Sequence, residues 1–204
     1  RVRTSLRFEA PPRDLDLDRP ATRVTATLGF ERGPGVAGDL RARTLSREGL
    51  ELTLEDERGV VLDRTTTGGD GRARFTADAA KLDGPGTGEL KVRFAGTSSL
   101  SPSEATVSVE RTARVTIALA RTPSPGGADG IGIELTASTS RGPVDGGVVE
   151  AIVEGRAAGA ADVRGGASSL RVVMLGRRPG TFPATLRYVP AAPWLLPGPD
   201  LETE

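Results

Sequence analysis

The sequence predicts an all-β protein built from two tandem β-sandwich domains. Three observations support this: apolar and polar residues alternate along many short segments, glycine-rich turns separate those segments, and part of the first half recurs in the second. At 204 residues the chain is long enough for two domains of ordinary size. Helical spacing is nearly absent, since its best candidate, residues 76–82, offers one or two turns at most.

Alternation with a period of two is the dominant pattern. In residues 2–9, even positions hold Val, Thr, Leu and Phe, and odd positions hold charged or polar residues, as on a strand with one buried face. The same arrangement predicts seven further strands with these inward residues: Val24, Ala26, Leu28 and Phe30; Leu50, Leu52 and Leu54; Leu90, Val92 and Phe94; Val115, Ile117 and Leu119; Ile131, Ile133 and Leu135; Leu170, Val172 and Met174; Phe182, Ala184, Leu186 and Tyr188.

Glycine-rich turns stand between these segments at short intervals. They include "GGDG" at 68–71, "DGPG" at 83–86 and "EG" at 154–155. Because the chain has no Asn, the positive backbone dihedral angles of tight hairpins fall to Gly, helped by Asp. Short strands separated by such turns, without long helices, favour a sandwich or a barrel.

A repeated segment divides the chain. "PGTGELKVRF" at 85–94 matches "PGTFPATLRY" at 179–188, and upstream "GRARF" at 71–75 faces "GASSL" at 166–170. We therefore expect a first domain at 1–112, with an enlarged loop at 33–49, and a second domain at 113–204. The connection "VERTARVTI" at 109–117 contains no Gly or Pro, so little hinge freedom is expected.

This repeat resembles the bacterial immunoglobulin-like (Big-type) domain repeats of surface and secreted proteins. The likeness rests on "PGT" entering a strand that ends in Phe94 or Tyr188, then a loop, then Pro102 or Pro197, and a last strand at 105–109. The resemblance implies two immunoglobulin-like sandwiches, export to the cell surface or periplasm, and a place within a longer polypeptide. It identifies a fold better than a role.

Composition excludes several classes of function. The chain has no Cys and no His, which removes thiolate chemistry, Cys-based zinc sites and the commonest general base. Charges balance at 27 of each sign, and each half balances too, whereas a nucleic-acid partner calls for a basic excess. No stretch of 18 apolar residues could span a membrane. We predict no enzyme, no cofactor, no nucleic-acid partner and no membrane span in this segment.

Acidic residues give one weak metal candidate. Asp14, Asp16 and Asp18 supply the carboxylates that Ca²⁺ prefers, but Leu15 and Leu17 alternate with them as on an edge strand. A solvated strand face is the preferred interpretation. "EDE" at 55–57 is interpreted as a solvated hairpin tip, and Asp70 in "GGDG" as a turn residue.

Trp194, Leu195 and Leu196 form the most distinctive candidate site, since prolines frame them in "YVPAAPWLLPGP". An exposed Trp on such a loop could be a binding hot spot. In an immunoglobulin-like sandwich this loop lies near the domain's own N-terminus, so packing of Trp194 near the junction at 110–114 is preferred. Loops at 33–49 and 97–101 are the other place to expect binding.

These observations predict a non-enzymatic structural or adhesion segment, a spacer or scaffold of a larger bacterial envelope or surface protein. Two alternatives stay open: an accessory module of an exported enzyme or carbohydrate-binding protein, and a subunit of a multiprotein envelope assembly. Expected partners are neighbouring modules of the same polypeptide and a protein or glycan.

Overall fold

The computed structural model describes residues 1–31, 45–121, 124–125 (backbone alone), 130–173 and 182–203. These residues form strands and turns, with a single turn of 3₁₀ helix at Ala79–Lys81 inside the stretch where the sequence offered a short helix. They divide into two compact units, Arg1–Arg111 and Thr112–Glu204. The all-β prediction is confirmed.

Unit 1 is a two-layer sandwich. Its three-stranded sheet has the order β1-β3-β6, and its second sheet has the order β5-β4-β7-β8, each pair antiparallel. The strands are β1 (Thr4–Glu9), β2 (Asp14–Asp16), β3 (Ala21–Phe30), β4 (Glu51–Asp56), β5 (Val61–Thr66), β6 (Arg72–Asp78), β7 (Gly86–Phe94) and β8 (Ser103–Leu119).

Unit 2 repeats this topology. One sheet has the order β8-β10-β14 and the other β13-β12-β15-β17. The strands after β8 are β9 (Ser124–Pro125), β10 (Gly130–Thr139), β11 (Gly142–Pro143), β12 (Val148–Val153), β13 (Arg156–Asp162), β14 (Ala167–Val173), β15 (Ala184–Val189), β16 (Leu195–Pro197) and β17 (Leu201–Thr203). Three strands thus face four in each unit, as in immunoglobulin-like sandwiches.

Strand β8 belongs to both units. Residues 103–111 pair with β7 as the last strand of unit 1, and residues 116–119 pair with β10 as the first strand of unit 2. The predicted last strand at 105–109 was therefore too short. No Gly or Pro interrupts residues 103–119, so nothing in the sequence ends the strand at the unit boundary.

The predicted inward residues fill the two cores. In unit 1, Leu52, Leu54, Leu90 and Val92 are fully buried. The core of unit 2 contains Val115, Ile117, Ile133, Leu135, Ala137, Val144, Val149, Ala151, Val153, Val163, Leu170, Val172, Ala184, Leu186, Tyr188 and Leu195. Leu119 departs from the prediction, since at the end of β8 it remains 37% exposed. Met174 lies outside the described residues.

Two hydrogen bonds fix the correspondence between the units. Leu28 donates its N–H to Gly71 O at 2.9 Å, and Ala137 donates to Gly166 O at 2.9 Å. Both glycines have a positive φ, +79° and +81°. The match of "GRARF" with "GASSL" therefore reflects equivalent positions, the turns that enter β6 and β14.

Replacing Gly71 by Ala is expected to destabilise unit 1 by about 2 kcal/mol, because the new Cβ adds a backbone clash to the left-handed strain. That atom would lie 2.6 Å from Leu28 O at φ +79°. Gly59→Ala is the matched control, since it shares the angle, +77°, but meets no atom within 4 Å. Chemical denaturation measures both. Equal losses for the two variants would show that the close approach to Leu28 contributes nothing.

Candidate functional sites

The Trp194–Leu196 segment lies against the first strand of its own unit. β16 pairs in parallel with β8, with Leu195 opposite Ala113, and Ala113 N–H donates to Trp194 O at 3.0 Å. Leu195 is 9% exposed and belongs to the core, and Trp194 is half-buried against the same core. This segment therefore closes one edge of the unit 2 sandwich.

Unit 1 closes in the same way without a tryptophan. Val2 N–H donates to Ser99 O at 2.8 Å, and the buried Leu100 forms a parallel bridge with Val2. Ser99 thus occupies the position of Trp194. The backbone closure does not require an indole, so Trp194 is an addition specific to unit 2. Its packing near residues 110–114 stays a prediction.

The Asp14–Asp18 segment forms a strand end and a turn. Leu15 and Leu17 are buried, as the alternation predicted. Asp16 accepts a hydrogen bond from Asp18 N–H at 3.0 Å and pairs with Arg19 Nε at 3.2 Å. Across the described ranges, no three acidic side chains converge as metal ligands would. The solvated strand face therefore stays the preferred interpretation of these aspartates.

The hairpin at 55–60 corrects the interpretation of "EDE" as a solvated tip. The Asp56 side chain is fully buried. It accepts hydrogen bonds from the N–H groups of Arg58 (3.0 Å) and Val60 (2.8 Å) and from Arg58 Nε (2.9 Å). A carboxylate that receives backbone N–H groups of its own turn fixes the conformation of that turn. The Asp56 carboxylate thus stabilises the turn between β4 and β5.

Arg111 forms a buried charged cluster that the sequence analysis missed. The side chain is 7% exposed. Its Nε donates to Gly84 O at 2.9 Å, its Nη2 to Thr87 O at 3.1 Å, and its Nη1 to the Glu57 carboxylate. A Cβ on Gly88 would lie 2.1 Å from Nη1, so the glycine provides the space for the guanidinium. The sequence did contain a sign of this burial. Arg111 lies two positions from each of the inward residues Val109 and Ala113, so alternation places its side chain on the inward face.

Glu57 is the acidic partner of this cluster. Burial alone would raise its pKa, but hydrogen bonds from its own backbone N–H, from Arg111 and from Glu89 N–H outweigh burial and hold the pKa below its usual value. A carboxylate with a lowered pKa stabilises the folded state above its unfolded pKa of about 4.3 and loses that contribution as pH falls through the folded value. The Arg111–Glu57 pair is therefore an acid-labile element of unit 1.

Tyr188 is a buried aromatic with one polar contact. It is 4% exposed, and its hydroxyl donates to Gly146 O at 3.0 Å. A Cβ on Gly147 would lie 2.4 Å from the same hydroxyl. Burial raises the pKa of the Tyr188 phenol above its usual value. The hydroxyl is thus enclosed by the glycine turn that precedes β12.

Tyr188 is expected to ionise at higher pH in the native chain than in the denatured chain. An unfolded tyrosine loses its proton near pH 10, whereas the buried phenol retains it. The stability of unit 2 should therefore fall as pH rises from about 10 towards the folded pKa. Near-ultraviolet absorbance of phenolate measures both midpoints, because the chain has one Tyr. Tyr188→Phe should abolish the signal; coincident midpoints would contradict the enclosure of the hydroxyl.

The predicted binding loops of unit 1 are described in part. Residues 32–44 of the enlarged loop at 33–49 lie outside the described residues. In the loop at 97–101, Thr97 Oγ1 accepts hydrogen bonds from Ser99 N–H (3.2 Å) and Leu100 N–H (3.1 Å), and Leu100 is buried. That loop is a closed turn anchored on the core.

A groove of about 940 Å³ runs beside this turn along strands β4, β7 and β8. Its charged side chains are one arginine and three glutamates, and Arg93 lies 3.6 Å from Glu55 and 3.9 Å from Glu104. Glu51 lines the same groove. The charge of the groove is therefore mainly acidic. Phe94 contributes to the lining, but its side chain is buried in the core.

No protein-family model matches the chain, and no curated protein matches it either. Solved structures similar to it include a tetra-tandem repeat from the extending region of a large adhesion protein (15% identity, TM-score 0.43, covering 100% of this chain and 48% of that chain). Another is a bacterial ice-binding adhesin (16%, 0.38, 99% and 62%). A third is a mutant alpha-2-macroglobulin of Salmonella (10%, 0.34, 98% and 14%). The chain spans less than two thirds of each.

Among the described residues, no helix is long and apolar enough to cross a membrane.

Proposed function

We propose that this chain is a non-enzymatic structural and adhesion segment, a spacer or scaffold within a larger bacterial cell-envelope or surface protein. The observation that carries this proposal is strand β8, which ends one sandwich at Arg111 and begins an equivalent sandwich at Thr112 without an intervening loop. A module whose last strand continues as the first strand of the next module suits serial repetition within one polypeptide.

The buried polar groups support a structural role. Asp56 braces a turn, and Arg111 donates to two carbonyl groups and a carboxylate. Thr67 Oγ1 accepts from Leu50 N–H at 3.0 Å and donates to Arg47 O at 2.5 Å. Each of these groups is engaged in holding neighbouring strands, which leaves them unavailable for acid–base work. The absence of His and Cys from the sequence points the same way.

The resemblance to bacterial immunoglobulin-like repeats extends the proposal to location and partners. It supports export, with the segment placed at the cell surface or in the periplasm, and neighbouring modules of the same polypeptide as its permanent partners. A protein or glycan is the expected transient partner. These elements rest on the resemblance of short motifs around Phe94 and Tyr188.

Deletion and replacement within the parent polypeptide test the proposal. Deleting residues 1–204 should impair the parent's function at the cell surface, and inserting an unrelated pair of immunoglobulin-like domains of similar length should restore it. Surface labelling of intact cells checks that each variant is exported. If the unrelated pair restores nothing while export is normal, the segment supplies specific chemistry and a pure spacer role is wrong.

A further inference from the structure

The outer face of the β1-β3-β6 sheet carries exposed arginines on both sides of a strip of threonines. On the middle strand, Thr27 lies opposite Arg7 of β1 and opposite Arg72 of β6. One step along, Thr25 lies opposite Arg74. We call this surface the arginine face, and it comprises Arg7, Arg23, Thr25, Thr27, Arg72 and Arg74.

This positive charge is neutralised only in part, since Arg72 is ion-paired and the charge of Arg7 acts on Glu9. Arg72 pairs with Glu9 at 3.0 Å and lies 3.7 Å from Asp70. Arg7, Arg23 and Arg74 are exposed and form no ion pair with any described residue.

Glu9, at the end of β1, accepts hydrogen bonds from Thr27 and Arg72. Asp78, at the end of β6, accepts from Ala80 N–H at 2.9 Å. Asp63 of the neighbouring β5 accepts from Thr76 N–H at 2.7 Å. These carboxylates keep their charge, but the outward positions of β1, β3 and β6 hold four arginines against two carboxylates, Glu9 and Asp78, so the face is positive on a chain whose overall charge is zero.

Unit 2 shows that the sandwich does not need these arginines. The correspondence set by the Leu28–Gly71 and Ala137–Gly166 hydrogen bonds extends along the strands through their registers. At the positions of Arg7, Arg23, Arg72 and Arg74, unit 2 has Ala118, Gly132, Ala167 and Ser169. The same fold therefore forms with small or polar residues at these four positions.

We propose that the arginine face binds an anionic polysaccharide. Guanidinium groups bind carboxylate and sulfate groups through paired, charge-assisted hydrogen bonds. The Thr25 hydroxyl can donate to and accept from sugar hydroxyls, and the Thr27 hydroxyl, whose proton is donated to Glu9, can accept from them. Arg7 and Arg72 stand on strands separated by β3, about 10 Å apart at the backbone, so an extended glycan lies along β3 with cations on both sides.

Other polyanions fit this surface less well. Single-stranded nucleic acids are held by aromatic side chains that stack on bases, and the outward positions of β1, β3 and β6 carry none. A membrane surface calls for exposed apolar residues beside the cations. The exposed large apolar residues of the described chain are Val60, Leu119, Val173 and Val189, none of which lies on these strands. Binding of a polysaccharide would be a function additional to the spacer role, because a spacer does not need to bind a ligand.

Retention of the purified 204-residue chain on immobilised polysaccharides tests the proposal. Heparin supplies sulfate groups, alginate supplies carboxylates, and dextran is the neutral control. The test variant combines Arg7→Ala, Arg23→Thr and Arg74→Ser, which leaves the Arg72–Glu9 pair intact. The control variant removes three other exposed arginines through Arg13→Ala, Arg156→Ala and Arg171→Ser, so both variants have the same net charge.

We expect the wild-type chain to bind heparin or alginate and not dextran, and the order of the two identifies the preferred anionic group. The test variant should bind about tenfold more weakly or worse, and the control variant should bind like wild type. Adding Ala118→Arg, Glu134→Thr, Ala167→Arg and Ser169→Arg to the test variant should restore binding on unit 2. Circular dichroism confirms folding, and Arg74→Ser alone serves if the triple variant unfolds.

Three results would overturn the proposal. The first is that wild type is retained by neither anionic polysaccharide. The second is that the control variant loses as much affinity as the test variant, which would make net charge the cause. The third is that duplex DNA binds as tightly as heparin and is lost in the same variant, which would replace polysaccharide by any polyanion. None of these results bears on the spacer role, which the deletion experiment tests separately.

Discussion

Replacing Arg111 by Ala is expected to destabilise unit 1 by about 3 kcal/mol, near the lower end of the range for breaking a buried ion pair. The change leaves Gly84 O and Thr87 O without their donor and Glu57 without its counter-charge. The Glu57 side chain keeps 29% exposure, so water partly compensates the carboxylate and moderates the loss. Chemical denaturation followed by circular dichroism measures the change in the free energy of unfolding.

A double-variant cycle with Gly88 separates this cluster from general strand damage. Gly88 has an ordinary backbone conformation, and a Cβ there would lie 2.1 Å from Arg111 Nη1 and 2.9 Å from Glu57. Gly88→Ala should therefore be costly in the wild type and much less costly once Arg111 is Ala, because only the end of the Glu57 side chain, which can rotate away, remains close. Additive losses would contradict the packing of the guanidinium over Gly88.

A second comparison separates the charge from its burial. Replacing both partners, with Glu57→Leu and Arg111→Met, should cost less than Arg111→Ala alone, since no uncompensated carboxylate remains. The double variant should also lose less stability than wild type between neutral pH and about pH 4, because the acid-labile pair is gone. A double variant that remains as acid-sensitive as wild type would place the acid-labile group elsewhere.

The strands could be predicted from local pattern because inward and outward faces follow directly from alternation. Leu52, Leu54, Leu90 and Val92 were assigned to the core on parity alone, and all four are buried. Alternation predicts burial less well at the end of a strand. Leu119 is the last residue of β8, and it remains partly exposed. The continuous strand β8 was also readable in principle, since residues 103–119 contain no Gly or Pro.

Features that depend on distant partners were beyond the local pattern. In the sequence, Arg111 is a charged residue among alternating apolar residues. Its acceptors, Gly84 O, Thr87 O and the Glu57 carboxylate, lie 24 to 54 positions away. The arginine face has the same origin. Arg7 and Arg23 were predictably outward, but no strand was predicted for Arg72 and Arg74, and β1, β3 and β6 are neighbours only because the chain crosses between sheets. Topology, rather than periodicity, assembled both groups.

The differences between the repeats show how one fold accepts different side chains. Tyr188 and Phe94 occupy equivalent strand positions, and both are 4% exposed. The extra hydroxyl of Tyr188 is accommodated where unit 2 has Gly147, the position held in unit 1 by Leu50. The sequence alignment of the repeats predicted that Phe94 and Tyr188 are equivalent. The role of Gly147 in making room for the Tyr188 hydroxyl is evident only from the structure.

Truncating Tyr188 to Ala is expected to cost about 3–5 kcal/mol, the largest single effect we predict. The ring is nearly fully buried in a core with few other aromatic side chains, so the cavity left behind cannot be filled by small shifts. A domain stabilised by about 5–15 kcal/mol would lose a large part of its margin. Trp194 reports the unfolding of unit 2 by fluorescence, because its side chain packs against the same core.

Tyr188→Phe divides this loss between the ring and the hydroxyl. The phenylalanine variant keeps the packing and loses one hydrogen bond to Gly146 O, which should cost about 1 kcal/mol. Phe94 shows that an equivalent strand position accepts a phenylalanine. Because ring burial dominates, Tyr188→Phe should retain most of the wild-type stability and Tyr188→Ala little of it. Similar losses for the two variants would mean that the hydrogen bond, and not the packed ring, holds the β12–β15 pair in place.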